Sequence, residues 1–190
     1  MGKNLVTKAE YKVYAGISSP NHDAEIDLLI PKVSDFVKTY CKQTFVDYVD
    51  DPKVEHFSGG SSHLLLKDWP IIGVQNVETS TDYGRTWTKL AEFGDWALDY
   101  TAYGISCIGS SAWPARVNGY RVTYNAGYEE LPGDLKLAVL DLITYYRRND
   151  GAIHSSKAPG TNSVQIEYIS TTTLPAHIRR VLDFYMADYV

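Results

Sequence analysis

Apolar residues recur at three- and four-residue spacing in several stretches of the chain, a pattern typical of amphipathic helices. The clearest stretch covers residues 131–148, where the apolar stripe consists of Leu135, Ala138, Val139, Leu142, Ile143 and Tyr146. Pro132 and Asp134 suit the first turn of this helix, and Arg147 and Arg148 suit its last turn. The following Asn149-Asp150-Gly151 predicts where the helix ends.

A longer helix is predicted upstream, with Asn21 or Asp23 as its N-cap. Its apolar stripe consists of Ile26, Leu29, Ile30, Val33, Phe36, Val37, Tyr40 and Cys41. Pro31 lies inside this pattern and removes one backbone hydrogen bond. Because the periodicity continues in phase beyond Pro31, the pattern indicates a kink, with two helices meeting there as the alternative.

Two shorter helices are predicted near the ends of the chain. Thr7 and Glu10 have the spacing of a capping box, which begins a helix that extends to about Ala15. Pro175 predicts the start of a last helix, which places on one side Ile178, Val181, Leu182 and Tyr185. A short amphipathic helix of this kind needs a surface to pack on, in its own domain or in a neighbouring molecule.

Between residues 46 and 128 the pattern changes to short runs rich in Val, Ile, Thr, Tyr and Trp, separated by turn residues. These runs predict antiparallel strands at 54–57, 63–66, 74–79, 86–90, 96–100, 105–108 and 120–124. Asp82-Tyr83-Gly84 predicts a hairpin turn between two of them.

Residues 151–163 have the composition of a loop and are expected to be mobile in an isolated subunit. After them, Val164, Ile166 and Tyr168 alternate with polar residues, as in a half-buried strand.

Together these patterns predict an α+β protein: a small bundle of amphipathic helices with an inserted section of short antiparallel strands and a C-terminal helix. A chain of this length can bury roughly 70% of its unfolded surface in one core, so a single domain is expected over residues 1–190. Its two helical segments cover residues 1–45 and 131–150, and the β section covers residues 46–128. A mobile loop covers residues 151–163, and a C-terminal strand and helix cover residues 164–190.

The net charge of −5 and the pI near 5.5 argue against tight, sequence-independent binding of nucleic acid. Cys41 and Cys107 are isolated, which favours two buried thiols in a reducing cytoplasm over a disulfide framework or a zinc site. The sequence shows no signal-peptide pattern and no apolar run of the length that spans a membrane. We therefore expect a soluble protein with no membrane partner.

The sequence contains no recognisable catalytic or metal-binding motif. The histidines lack ligand spacing, and they are His22, His56, His63, His154 and His177. Asp95 and Asp99 lie beside aromatic residues, as in a glycosidase, but on one strand they would be ~13 Å apart. Hydrolysis of a glycoside needs about 5 to 9.5 Å between its two carboxylates. We therefore expect a protein that is not an enzyme, with no catalytic residues, no metal and no cofactor.

Large aromatic residues are concentrated in the β section: Trp69, Trp87, Trp96, Trp113, Tyr100, Tyr103, Tyr120 and Tyr124. Such residues normally fill cross-strand contacts, a core or a subunit interface, and these uses are favoured over a ligand platform. The alternative from another functional class is a monomeric carbohydrate-binding module that uses them to stack on sugars.

The order of these segments along the chain, together with the turn residues between them, also resembles a known family. The strand Val-Thr-Tyr-Asn-Ala-Gly-Tyr (122–128), followed by Leu-Pro-Gly-Asp-Leu-Lys-Leu-Ala-Val-Leu-Asp-Leu-Ile-Thr-Tyr-Tyr (131–146), resembles the head-tail connector proteins of tailed double-stranded DNA bacteriophages. These are also called adaptor or head-completion proteins. Residues 24–44, with their internal proline, and residues 174–182 fit the same pattern, which favours one kinked helix at Pro31.

The resemblance implies a virion structural protein that forms a ring, typically a dodecamer in this family, below the portal at the capsid vertex. Such a ring extends the DNA channel and offers a platform to the next neck or tail protein. The expected partners are further copies of the chain, the portal, that next protein and double-stranded DNA held by weak contacts. The protein would be made in the cytoplasm of the bacterial host and would reside in the neck of the virion.

Candidate residues follow from the same resemblance. The C-terminal segment tends to engage the portal, so the candidate portal-binding residues are Leu174, Pro175, Ile178, Arg179, Val181, Leu182 and Tyr185. In a closed ring, each positive side chain that faces the pore becomes a band of charge, so the candidate DNA-channel residues are Arg147, Arg148, Arg179 and Arg180. Placement at helix ends or on solvated faces is the alternative for these arginines. A stopper or tail-completion subunit is the alternative role within virion proteins.

Overall fold

A computed structural model describes residues 2–148, 153–157, 164–168 and 174–186. Its α-helices are Lys8–Ala15 (α1), Asp23–Cys41 (α2), Gly133–Arg148 (α3) and Ala176–Phe184 (α4). Its strands are Lys53–Phe57 (β1), His63–Leu65 (β2), Ile71–Thr79 (β3), Thr88–Lys89 (β4), Trp96–Asp99 (β5), Gly104–Cys107 (β6), Tyr120–Ala126 (β7), Ile153–Lys157 (β8) and Val164–Tyr168 (β9). The combination of helices with antiparallel sheets confirms the predicted α+β class.

The described residues form two compact units. The β unit takes residues 2–3 and 43–131, and the helical unit takes 4–42 and the described residues from 132 to 186. The β unit is therefore inserted in the chain between α2 and α3. The prediction that all of these residues fold as a single domain stays a prediction.

In the helical unit, α2 packs against α1, α3 and α4, and α3 also contacts α1 and α4. The predicted stripes supply most of the interior, which contains Ile26, Ile30, Val33, Val37, Leu135, Val139, Leu142 and Ile143. Pro31 lies within one continuous helix, so the alternative of two helices is excluded. Phe36 and Tyr146 were expected in the stripes but remain 37% and 40% exposed, because they lie at the solvent edge of their helices.

The first two helices begin differently. Thr7 caps α1 as predicted: its hydroxyl accepts from the Glu10 N–H at 3.2 Å, and its own N–H donates to Glu10 Oε2 at 2.7 Å. The predicted caps of α2 are wrong. A single 3₁₀ turn, capped by Ser19, leads directly into α2, so Asn21 lies within that turn and Asp23 is already helical.

The β unit contains two antiparallel sheets, one in the order β1-β7-β3-β4 and the other in the order β2-β6-β5. All seven predicted strands are present, with ends shifted by a few residues. In β7, alternate side chains point inward, and both sheets contribute to one core. That core consists of Leu64, Leu66, Val77, Trp96, Ile105, Trp113, Tyr120, Val122, Tyr124 and Ala126.

The predicted hairpin turn joins β3 to β4. Asp82 stabilises it by accepting hydrogen bonds from the backbone N–H groups of Thr86 and Arg85 at 2.9 and 3.0 Å. These bonds, with those from the Ser80 and Thr86 hydroxyls, lower the pKa of Asp82 to about 2. Tyr83 and Gly84 adopt left-handed backbone angles, φ 61° and 88°. At Gly84 a Cβ atom would lie 2.8 Å from Asn118 Nδ2, so both the φ and the space favour glycine.

The C-terminal part of the chain holds a hairpin in which β8 and β9 pair in antiparallel register. Strand β9 lies where the alternating pattern predicts one. The predicted loop is wrong for Ile153–Lys157, because ladder hydrogen bonds to β9 form a strand from residues of loop-like composition. The remaining residues of that predicted loop, and the predicted helix stop at Asn149-Asp150-Gly151, lie outside the described residues. Over the part of the chain that is described, no helix has both the length and the apolar character needed to cross a membrane.

Candidate assembly surface

Helix α4 contains most of the predicted portal-binding residues, and its apolar side packs inside the helical unit. Ile178 and Leu182 are 1% and 0% exposed. Leu174, Pro175, Val181 and Tyr185 are half-buried. The spacing of Ile178 and Leu182 on one side of the helix therefore serves to attach α4 to its own unit. The portal-binding role of these residues stays a prediction.

Polar bonds attach α4 as well. Tyr40 of α2 donates to Asp183 Oδ1 at 2.6 Å, and Tyr185 donates to Asp134 Oδ1, at the start of α3, at 2.6 Å. Cys41 Sγ lies 3.6 Å from the Leu182 carbonyl oxygen, to which it donates. The bond to Asp183 raises the pKa of Tyr40, and burial raises the pKa of Cys41 to about 12. Cys41 is thus an unreactive interior thiol, and α4 is held by side chains from two other helices.

The outer side of α4 is what a partner could reach. His177, Arg179 and Arg180 are exposed there, and Phe184 is 73% exposed. An exposed phenylalanine beside two arginines has the composition typical of protein interfaces. Sequence analysis missed Phe184, because a single aromatic outside the apolar stripe has no periodic signal.

The other arginine doublet divides into two different environments. Arg147 Nε lies 3.3 Å from Glu25 Oε2, and the Arg147 side chain is 18% exposed. Arg148 is exposed and lines a cleft of about 270 Å³ whose walls include Asp141, His177 and Ile178. Arg147 therefore serves as a link between helices, whereas Arg148, Arg179 and Arg180 present positive charge at the surface.

The residues that suggested enzymatic chemistry have structural partners. Asp95 Oδ2 accepts from the Ala91 N–H at 2.7 Å, and Asp99 Oδ1 accepts from the Thr101 hydroxyl and N–H at 2.6 and 2.9 Å. The Thr101 bonds lower the pKa of Asp99, whose other oxygen lies 3.3 Å from His63 Nε2. Each carboxylate thus stabilises its own loop. Within the described ranges, no three His, Cys, Asp or Glu side chains are grouped so that they could hold a metal ion.

The aromatic residues of the β unit are divided between core and surface. Trp96, Trp113, Tyr120 and Tyr124 are buried, whereas Tyr100 and Tyr103 are 68% and 51% exposed. Tyr103 stacks against Trp69 with ring centroids 5.6 Å apart. The favoured use of these aromatics, in a core, accounts for four of the eight.

A buried ionic network in the β unit was also missed by sequence analysis. The ammonium group of Lys53 contacts Asp68, and it lies 2.5 Å from Glu55 Oε1. Asp68 also accepts from the Thr44 hydroxyl and N–H at 2.9 and 3.0 Å. Burial alone would lower the pKa of Lys53, but the hydrogen bonds to both carboxylates raise it. Lys53 and Asp68 are far apart in the sequence, so only the fold shows that they meet.

Among the solved structures with a similar fold are chains from gene transfer agent particles. One such chain is from the neck of an empty particle computed with C6 symmetry, and it is 16% identical to this chain. The comparison covers 98% of this chain and 91% of that chain, with a TM-score of 0.64. Another is from the neck of a native particle computed with C12 symmetry, at 15% identity, 100% and 97% coverage and a TM-score of 0.61. A comparison with curated proteins gave no match.

The chain also matches a family model over residues 4–187. These residues include the four described α-helices and the β unit from residue 43 onward. The description of that model is "Head completion protein". The resemblance found in the sequence is thereby confirmed, and the chain belongs to the head completion protein family.

Proposed function

We propose that this protein is a non-enzymatic structural subunit of a virion neck, where it forms a ring below the portal and connects the capsid to the neck or tail. The ring is a dodecamer that extends the DNA channel. The protein is made in the cytoplasm of the bacterial host, and the ring offers a platform to the next neck or tail protein.

One observation carries this proposal: the family match and the fold likeness both extend over nearly the whole chain. The similar chains cover 98% and 100% of this one, and they come from necks computed with C6 and C12 symmetry. Both units of the described fold are included in these matches.

The portal contact is proposed for the outer side of α4. Ile178 and Leu182 hold the helix from inside, and this leaves Arg179, Arg180 and Phe184 to meet a partner. Large aromatics and arginines dominate the binding energy of many interfaces. The inner residues of the predicted set then act by positioning this outer side.

Native mass spectrometry of the purified protein, alone and mixed with the portal complex of its particle, tests the proposal. We expect incorporation of about twelve copies onto the portal, the number in a ring with the C12 symmetry of the similar neck. Phe184→Ala and the double variant Arg179→Glu/Arg180→Glu should reduce incorporation, whereas Lys89→Glu, on strand β4, serves as a control and should not. A protein that stays monomeric in the presence of the portal would refute the proposal.

The DNA-channel role of the arginines needs a separate test. Particles carrying Arg148→Ala, which leaves the proposed portal contact intact, should differ from the parent in DNA retention or ejection, and so should particles carrying the triple variant Arg148→Ala/Arg179→Ala/Arg180→Ala. Each substitution removes a band of charge from a ring. Arg147→Ala is less informative, since it also breaks the pair with Glu25. Unchanged retention and ejection in the triple variant would exclude the role.

A further inference from the structure

Two clefts of the β unit, of about 300 and 240 Å³, share one lining residue, Arg116. Tyr83 and Val117 line the first cleft, and Leu90 and Trp113 line the second. We call the two clefts together the Arg116 groove. All of its walls belong to the β unit, and none of them is part of α4.

Arg116 is half-buried at the point that both clefts share. Its Nη1 donates to Thr79 Oγ1 at 2.8 Å, and among the described residues no carboxylate forms an ion pair with it. The guanidinium group has five N–H donors, so most of its hydrogen-bonding capacity is available to a ligand. A carboxylate is the group that matches it best, because two parallel N–H···O bonds can form.

The first cleft is mixed in character, with Ser80 and Thr81 beside Tyr83 and Val117, whereas the second is lined mainly by apolar residues. Trp113 is 2% exposed and forms a rigid floor, Ile108 is 39% exposed, and Val117 is 69% exposed. Tyr83 is 76% exposed although its φ of 61° is unfavourable for an aromatic residue. The Asp82 turn and a bond from Asn118 Nδ2 to the Tyr83 carbonyl at 3.2 Å hold it there.

Asp95 gives the groove a direction. Its carboxylate lines the second cleft, where it is held by the Ala91 N–H. A ligand with a second negative group would be repelled at this end, so an apolar group is favoured beside Leu90 and Ile108. The same carboxylate, together with the net charge of −5, disfavours a nucleic acid strand with its regularly spaced phosphates.

We propose that the Arg116 groove is the docking site for an extended segment of a partner protein, in which a Glu or Asp binds Arg116 and a neighbouring large apolar side chain packs on Leu90 and Ile108. This inference rests on the proposed function: the partner is another structural protein of the particle, and the β unit is the face that receives it. The charge complementarity at Arg116 and the apolar residues of the second cleft specify this occupant.

Selection of displayed random peptides on the purified full-length protein tests the chemistry of the groove. Enriched peptides should carry an acidic residue next to Leu, Phe or Trp. Fluorescence anisotropy of the enriched peptide should show about tenfold or greater weakening for Arg116→Ala, because a charge-assisted hydrogen-bonded pair is lost. Arg116→Lys should weaken binding less, and Arg85→Ala, an exposed arginine of the adjacent turn, is the matched control. The tryptophan emission of each variant checks that the β unit is folded.

Enrichment of peptides without an acidic residue, or an affinity that Arg116→Ala leaves unchanged, would overturn the proposal. So would Arg116-dependent binding of a fluorescent single-stranded DNA in the absence of peptide binding. A photo-crosslinking amino acid at Val117 then locates the segment in assembled particles, and the expected product joins this chain to an acidic and apolar segment of another particle protein. If the chain does not join the portal at all, the proposed function fails, while the peptide measurement still decides the chemistry of the groove.

Discussion

The buried tyrosines of the β unit differ in their role from three tyrosines of the helical unit. In the β unit, Tyr120 and Tyr124 fill the core, at 2% and 0% exposed, and their hydroxyls bond to the Pro114 carbonyl and the Asp68 N–H. In the helical unit, Tyr14, Tyr40 and Tyr185 lie at the rim of an aliphatic interior. There they donate to aspartates of neighbouring helices.

Three such bonds connect different helices: Tyr14 to Asp141, Tyr40 to Asp183, and Tyr185 to Asp134. This difference shows which interactions fix the packing of each unit. Strands are fixed in register by their ladders, so the sheets can place aromatics wherever volume is needed. Packed helices with Leu, Ile and Val faces tolerate small shifts, so directional O–H···O bonds at the rim fix their relative positions.

The largest expected effect concerns the ionic network of the β unit. Lys53→Met leaves Glu55 and Asp68 as two buried carboxylates without their cation, and we expect a loss of about 3–5 kcal/mol in the free energy of unfolding. Urea unfolding followed by tryptophan fluorescence measures it, because all four tryptophans lie in the β unit. Lys89→Met, on exposed strand β4, is the control. A loss below about 1 kcal/mol would show that the network is not part of what stabilises this unit.

Truncation of a buried leucine should destabilise the helical unit, whereas truncation of an exposed leucine should not. Leu142→Ala removes a fully buried side chain and should cost about 2–5 kcal/mol, whereas Leu137→Ala, 49% exposed, should cost little. Circular dichroism in the far ultraviolet follows the helices. Coincident transitions by circular dichroism and tryptophan fluorescence in the parent protein would also confirm the single domain that the sequence predicts, and separate transitions would contradict it.

Removal of a tyrosine hydroxyl at the rim of the helical unit should have a smaller effect on stability. Tyr40→Phe and Tyr185→Phe should each cost about 1 kcal/mol, because each removes one hydrogen bond to an aspartate at a partly solvated site. Hydrogen exchange should show faster opening of α4 in both variants. Tyr146→Phe, at an exposed position of α3, should leave stability and exchange unchanged. Equal behaviour of all three variants would mean that the rim bonds do not fix α4.

The smallest effect is a pH dependence located in the turn between β3 and β4. The pKa of Asp82 is lowered from 3.8 to about 2 by its hydrogen bonds, so its carboxylate stabilises the folded state above the ordinary pKa. This contribution is lost as the pH falls from about 4 to about 2. Asp82→Asn should flatten the corresponding part of a plot of thermal stability against pH. An unchanged slope in the variant would assign the acid sensitivity to other carboxylates.

The sequence predicted the elements of the fold well wherever one side of an element is buried. The alternation in β7 and the stripes of α2 and α3 are direct records of burial, and the Thr7 capping box is a local hydrogen-bond pattern. Strand β8 could not be predicted, because its ladder with β9 depends on a partner and not on its own composition. The cap of α2 was missed because Ser19 acts one 3₁₀ turn before the helix.

The candidate surfaces were less predictable for a related reason. The segment that contains α4 was found through its apolar stripe, but that stripe faces inward, and the outer residue Phe184 carries no periodic signal. Arg116 lies in a segment without regular secondary structure, and its importance arises from clefts formed by the ends of β3, β6 and β7 and by the loops beside them. Positions of this kind are defined by long-range packing, which a single sequence does not record.

Insertion of the β unit between α2 and α3 sets the order in which the chain can fold during synthesis. The apolar stripe of α2 leaves the ribosome about 90 residues before α3, its main partner, which corresponds to a delay of about 5–20 s at ordinary translation rates. Strand β7, which pairs with both β1 and β3, is also the last strand of its sheet to appear. Both units are therefore completed by one stretch, Tyr120 to Arg148, and until it emerges the nascent chain carries unburied surface that chaperones can bind.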